Sequence, residues 1–123
     1  MLEMNPEIRA QWCAALRSGD YQQTKRALRH NDSYCCLGVL CDLAVKAGII
    51  EDAKPMPMGI ASDAPGRMGY DGTSHYLPER VQTWAALASN DPEVGADLSL
   101  AIANDWGQTF AEIADLIDGG APC

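Results

Sequence analysis

Two stretches of this chain carry residues able to hold a small anion. Tyr21, Lys25, Arg26, Arg29 and Tyr34 combine cations with aromatic rings, a set that can neutralise a phosphate or carboxylate and stack a flat group. His75 and Tyr76 add an imidazole able to take or give a proton, next to a further hydroxylated ring. Carboxylates gather later. Asp105, Asp115 and Asp118, with Glu112, could supply the paired acids of hydrolytic chemistry. Glu112, Asp115 and Asp118 also fall three apart, as on the wet face of an amphipathic helix. Asp105, Trp106, Asp115 and Asp118 are equally the residues with which to meet a partner protein.

Five cysteines stand at 13, 35, 36, 41 and 123. An odd count without a leader pattern argues against a disulfide framework. Cys35 and Cys36 are adjacent and Cys36 and Cys41 are five apart, neither being a chelating spacing, and His30 and His75 have no partner at ligand spacing. No metal is expected, and the thiols in CCLGVLCDLA read as small buried hydrophobes. Cys35 with His75 is the one thiol and imidazole pair to weigh as a nucleophile and base. GxSxG, P-loop, HExxH and GxGxxG patterns are missing, so no cofactor is expected and an enzyme is the less favoured class.

The elements that must position these residues follow from spacing and punctuation. Asn5, Pro6 and Glu7 start a helix over 6–18, with Ile8, Trp12, Ala15 and Leu16 as its stripe. Residues 21–29 read as a strand that pairs with 33–36 around a turn at 30–33, with a short helix over 22–29 as the competing assignment. Leu37, Leu40, Cys41 and Ala44 predict a central helix over 37–47. Residues 51–76 form an irregular Pro/Gly-rich middle, with Asp71 and Gly72 as a hairpin turn. A helix opens after Pro78, with Val81, Trp84 and Ala85 inward. A short one over 97–103 turns Leu98 and Ile102 inward. Thr109 and Glu112 form a capping box ahead of the stripe Phe110, Ile113, Ala114 and Ile117. Residues 119–123 read as a frayed tail. The expected fold is one α+β domain over 1–123, mainly helical, with four to five helices and a small antiparallel hairpin or sheet.

Charge limits the partners. The chain has 17 acids and 9 bases, a net charge of −8. Wrapping duplex nucleic acid is excluded on those numbers, because that affinity comes from Lys and Arg on phosphates. The charge is uneven: residues 9–30 are locally basic, and no Lys or Arg follows Arg80. No apolar run approaches the roughly 20 residues of a membrane span, so a soluble cytoplasmic protein is expected.

The blocks WCAALRSGDYQQ, YCCLGVLCDLAVKAG, YLPERVQTWAAL and ANDWGQTFAEIADLI together resemble a family of small uncharacterised proteins encoded by bacteriophages and prophages. The chain departs from that pattern at Thr24, Lys25 and Arg26, where glycine-rich spacing is expected, and in the middle loop. The resemblance implies a setting, the cytoplasm of an infected or lysogenic host, and no chemistry. By analogy of setting, the expected function is non-enzymatic binding that modulates host machinery, such as inhibition of a defence system. The bound species would be a host protein or a small anionic nucleotide. The alternatives are a small hydrolase using His75 or the C-terminal acids, and a structural or assembly protein, a homodimer included. Of Trp12, Trp84 and Trp106, any one left exposed would mark an interface.

Overall fold

The computed structural model describes residues 2–55, 66–95 and 98–119. Among them are five helices, and the mainly helical α+β domain expected from sequence is what forms. Helix α1 (Pro6–Arg17) begins where Asn5 Oδ1 accepts from Glu7 N at 2.9 Å and Ile8 N at 3.2 Å. It buries Ile8, Trp12, Cys13 and Leu16. Helix α5 (Phe110–Ile117) begins at the capping box: Thr109 Oγ1 accepts from Glu112 N at 3.1 Å and Thr109 N donates to Glu112 Oε1 at 2.9 Å. Its buried stripe is Phe110, Ile113, Ala114 and Ile117, as the periodicity predicts, and it packs on α1.

A two-pronged ion pair clasps α1 to α5. Arg17 Nη2 lies 2.9 Å from Asp115 Oδ1, and Nη1 lies 2.8 Å from Asp118 Oδ2. Two of the acids proposed for partner contact are therefore spent within the fold. Burial pushes the Asp118 carboxyl up, but hydrogen bonds from Arg17 and Cys13 outweigh it and hold the carboxyl below its ordinary value of 3.8. A carboxyl lowered in the folded state stabilises the fold above its unfolded value and loses that contribution as pH falls through the folded value. All three side chains are half-exposed, so Arg17→Ala should lower stability by only about 0.5–1 kcal/mol at neutral pH. In urea titrations that deficit should shrink as pH falls below the ordinary carboxyl value of 3.8 and Asp118 is protonated.

Helix α2 (Cys36–Lys46) is the centre of the fold. Cys36, Leu37, Gly38, Val39, Leu40, Cys41 and Ala44 are all buried, and α1, α3 and α4 pack around it. The side chain of Trp12 crosses to it, Nε1 donating to Cys36 O at 2.9 Å. Burial pushes the Cys36 and Cys41 thiols well up, which suits packing and not reactivity.

Five short strands form one sheet: β1 (Gln22–Gln23), β2 (Arg29–His30), β3 (Ser33–Tyr34), β4 (Lys54–Pro55) and β5 (Arg67–Gly69), in the order β1-β3-β2-β5-β4. All neighbours are antiparallel except β1 and β3. The expected hairpin exists only as β2 and β3, turning at Asn31 (φ +52). Residues 24–28 are neither strand nor helix. Ala27 and Leu28 dive into the core, and Leu28 N donates to Ser74 O at 2.8 Å. The turn at Asp71 and Gly72 is confirmed: both have positive φ, and Tyr70 pairs with Thr73.

Helix α3 (Glu79–Ala85) buries Val81 and Ala85 and half-buries Trp84. A two-stranded hairpin, β6 (Glu93–Gly95) with β7 (Leu98–Ser99), stands where only a turn and a helix start were expected. Helix α4 (Leu100–Asp105) then begins at Ser99, whose Oγ accepts from Ile102 N at 3.3 Å. The late start rotates its inward face onto Leu100, Ala103 and Asn104. Ile102, expected inside, lies about 200° round from Leu100 and is 37% exposed. No described helix is long and apolar enough to cross a membrane. Of the tail expected to fray, 120–123 lie outside the described residues.

Candidate functional site

The candidate residues separate into three places. Asp115 and Asp118 form the α1 and α5 clasp. Tyr21, Arg29 and Tyr34 gather at the sheet. The rings of Tyr21 and Tyr34 meet edge to face with centroids 5.0 Å apart, and the Arg29 guanidinium lies 5.0 Å over the Tyr34 ring. This cluster is satisfied from within. Tyr21 donates its hydroxyl to Asp42, Lys46 sits 3.2 Å from that hydroxyl and from Asp42, and Arg29 reaches Asp32 and Asp52 at 3.5 Å. Burial pushes both phenols up. Cations already neutralised by carboxylates are poor receptors for a further anion, so the five residues of the basic stretch do not make one anion site.

The remaining candidates, Lys25, Arg26, His75, Tyr76, Asp105 and Trp106, come together at the exposed edge of α4. The segment before β2 is tied there by one buried amide. Asn104 is fully buried; its Oδ1 accepts from Cys36 N at 3.1 Å and Gln23 Nε2 at 2.9 Å, and its Nδ2 donates to Thr24 O at 2.7 Å. The next residue, Asp105, accepts from Arg26 N at 2.9 Å and holds Arg26 in the left-handed region at φ +65. A non-glycine residue held there costs on the order of 1 kcal/mol, strain that often accompanies a functional surface.

Arg26, Ala27, Cys35, His75, Tyr76, Ala101 and Asp105 enclose a dimple of about 40 Å³. Its floor is small and apolar; its rim is charged or aromatic. Three large hydrophobics are exposed among the described residues: Tyr76 at 47%, which lines the dimple, and Ile102 at 37% and Trp106 at 80%, which follow its lining residues Ala101 and Asp105 in the chain. Ile102 and Trp106 are four apart on the outward side of α4. Lys25 completes the edge, its Nζ 4.0 Å from where a side chain would begin on Gly107.

The dimple does bring Cys35 and His75 to one place, but not as a nucleophile and its base. Cys35 Sγ accepts from Gly38 N at 3.4 Å, and burial pushes its thiol up to about 12. His75 Nε2 lies 3.2 Å from Arg67 Nη1. Arginine only donates, so Nε2 accepts, and the ring proton is assigned to Nδ1, 3.1 Å from Ser74 Oγ. The one basic nitrogen of His75 is thus already engaged. Among the described residues no three His, Cys, Asp or Glu side chains come together as a metal site.

Two larger depressions lie elsewhere. One of about 360 Å³ runs between β4 and the turn at Asp71 and Gly72, and an open one of about 600 Å³ lies against Ile49, Arg80, Thr83 and Trp84. Their cations are paired within them, Lys54 to Glu51 at 2.9 Å and Arg80 to Asp71 at 3.6 Å. Neither contains a candidate ligand-binding residue, and Trp84, at the wall of the second, is half-buried.

Residues 4–120 match the model of a family described as a domain of unknown function (DUF8296). No curated protein and no solved structure matches the chain.

Proposed function

The chain belongs to this domain family of unknown function, and on that premise we propose that it works by binding another protein through the exposed edge of α4. The observation that carries this is Trp106, 80% exposed in a small domain whose other tryptophans are buried or half-buried. Tryptophan leads the residues that anchor protein interfaces. Tyr76 and Ile102 widen the patch, and Lys25 and Arg26 give it a polar rim. At the dimple, size argues against capture of a nucleotide. Small-molecule sites run to about 300–1,000 Å³, and the dimple is about 40 Å³. A nearly flat surface with one small recess suits a protein contact. The phage or prophage setting implied by sequence resemblance supports a host protein as the partner, with modulation of host machinery, defence systems included, as the outcome.

A photo-crosslinking residue placed at position 106 tests this in extract from cells that naturally carry the gene. The expected result is one discrete protein adduct, not obtained from the same residue at exposed position 11 on α1. Equal or no labelling from the two positions would refute it.

A further inference from the structure

Resting on that proposed surface, we infer that the partner presents an acidic segment bearing one small aliphatic side chain. The first support is a pair of uncommitted cations. Arg17, Arg29, Lys46, Lys54 and Arg80 each have a carboxylate within 3.6 Å. Lys25 and Arg26 have none among the described residues, in a chain with 17 acids; Arg9 has none either, but its guanidinium is turned to a backbone carbonyl, Leu2 O, at 3.4 Å. They are neighbours in sequence, both exposed, and both at the edge that carries Trp106.

Asp105 is the acid closest at hand, and it is turned to the Arg26 backbone N–H at 2.9 Å. Asp91 also stands by the recess wall, its Oδ1 accepting from Ala101 N at 2.9 Å, so the edge is neutral on balance where the molecule as a whole is −8. Two exposed cations without a carboxylate partner, on an otherwise acidic body, steer one kind of partner and repel others. A basic partner would settle anywhere on the acidic body in preference to this edge. An acidic one is attracted where exposed cations lack a carboxylate partner, as at Lys25 and Arg26.

The recess sets the second requirement. Ala27, Cys35 and Ala101 present small apolar atoms, and a recess of about 40 Å³ suits a small aliphatic side chain better than a ring. A segment laid across the edge would seat that side chain in the recess. Its carboxylates would meet Lys25 and Arg26, and its backbone would run beside Tyr76 and Trp106. A free nucleotide offers anionic charge but nothing for the recess. A second copy of this chain would have to present such a segment itself.

Selection from a library of short random peptides displayed on particles, against the full chain, tests the inference. Enriched peptides should carry Asp or Glu beside a single Ala or Val, and weaken as salt rises. Lys25→Glu and Arg26→Glu should each lower their affinity at least about tenfold with the melting temperature unchanged. Ala101→Leu, at the partly exposed wall of the recess, should do the same by filling it, and Ala101→Val serves as the milder variant. Neutral or basic peptides that still need Trp106 would overturn the acidic partner and leave the surface standing. Peptides that bind Trp106→Ala as well as the parent would overturn the surface itself. Enrichment of no peptide, or self-association of the chain through Trp106, would overturn the inference.

Discussion

Gly38→Ala is expected to unfold the protein or destabilise it by more than about 3 kcal/mol. Inside a helix the exchange of glycine for alanine is ordinarily favourable by up to about 1 kcal/mol, because alanine loses less backbone entropy. Here the sign reverses. Gly38 lies in the first turns of α2, and a Cβ there would stand 1.7 Å from Leu28 O and 2.7 Å from Leu28 C. The obstacle is backbone, so no rotamer change relieves it. Leu28 cannot withdraw, since its carbonyl accepts from Cys35 N at 3.1 Å and its N–H donates to Ser74 O at 2.8 Å. Pushing it back would also displace Ala27 from the floor of the dimple. Gly48→Ala is the control. Gly48 has φ +78 with nothing within 4 Å, so only left-handed strain of about 1 kcal/mol should appear in urea unfolding. A Gly38→Ala protein no less stable than the Gly48→Ala protein would show that α2 and the 27–28 segment are not packed this closely.

Asn104→Ala should be nearly as damaging, at about 3 kcal/mol. The amide satisfies Cys36 N, in the first turn of α2, and Thr24 O, which leads into the strained loop. Truncation strands both, and each unsatisfied buried group costs about 1–3 kcal/mol. Gln23 recovers part of its loss, since its Nε2 also donates to Gln108 O at 2.7 Å. Asn104→Leu fills the space without serving either group, and should be no better. Amide exchange offers a sharper check. Cys36 N–H should lose protection in Asn104→Ala, and residues 23–26 should open before the core does. Undiminished protection there would mean that the amide is not the anchor.

What the sequence made legible was local. The Asn5 cap, the capping box at Thr109 and Glu112, and the turn at Asp71 and Gly72 each depend on residues within four positions of one another, and each forms as expected. The sheet was hidden for the opposite reason. Its strands are two or three residues long, too short for alternation to register, and its order joins segments as far apart as β2 and β5. Gly38 gave no sign because the atom that forbids a side chain there belongs to Leu28, ten positions away. Asn104 gives no local sign of its anchoring role because its partners at 23, 24 and 36 are far away in sequence. The site was half legible. Lys25, Arg26, His75, Tyr76, Asp105 and Trp106 were marked by residue type, but in separate groups; only the docking of residues 23–26 on α4 joins them. Tyr21, Arg29 and Tyr34 were grouped with them by sequence proximity, and acids at 32, 42 and 52 draw them elsewhere.

The central claim, that the edge of α4 is a protein-binding surface anchored by Trp106, is tested most directly by one affinity measurement. The protein crosslinked at position 106 is purified and titrated by calorimetry against the parent chain and against Trp106→Ala. Because Trp106 is 80% exposed, its removal should leave the melting temperature within about 1 °C. The predicted result is a loss of at least about tenfold in affinity, as expected for an anchoring tryptophan. An affinity within about twofold of the parent, at unchanged stability, would contradict the account.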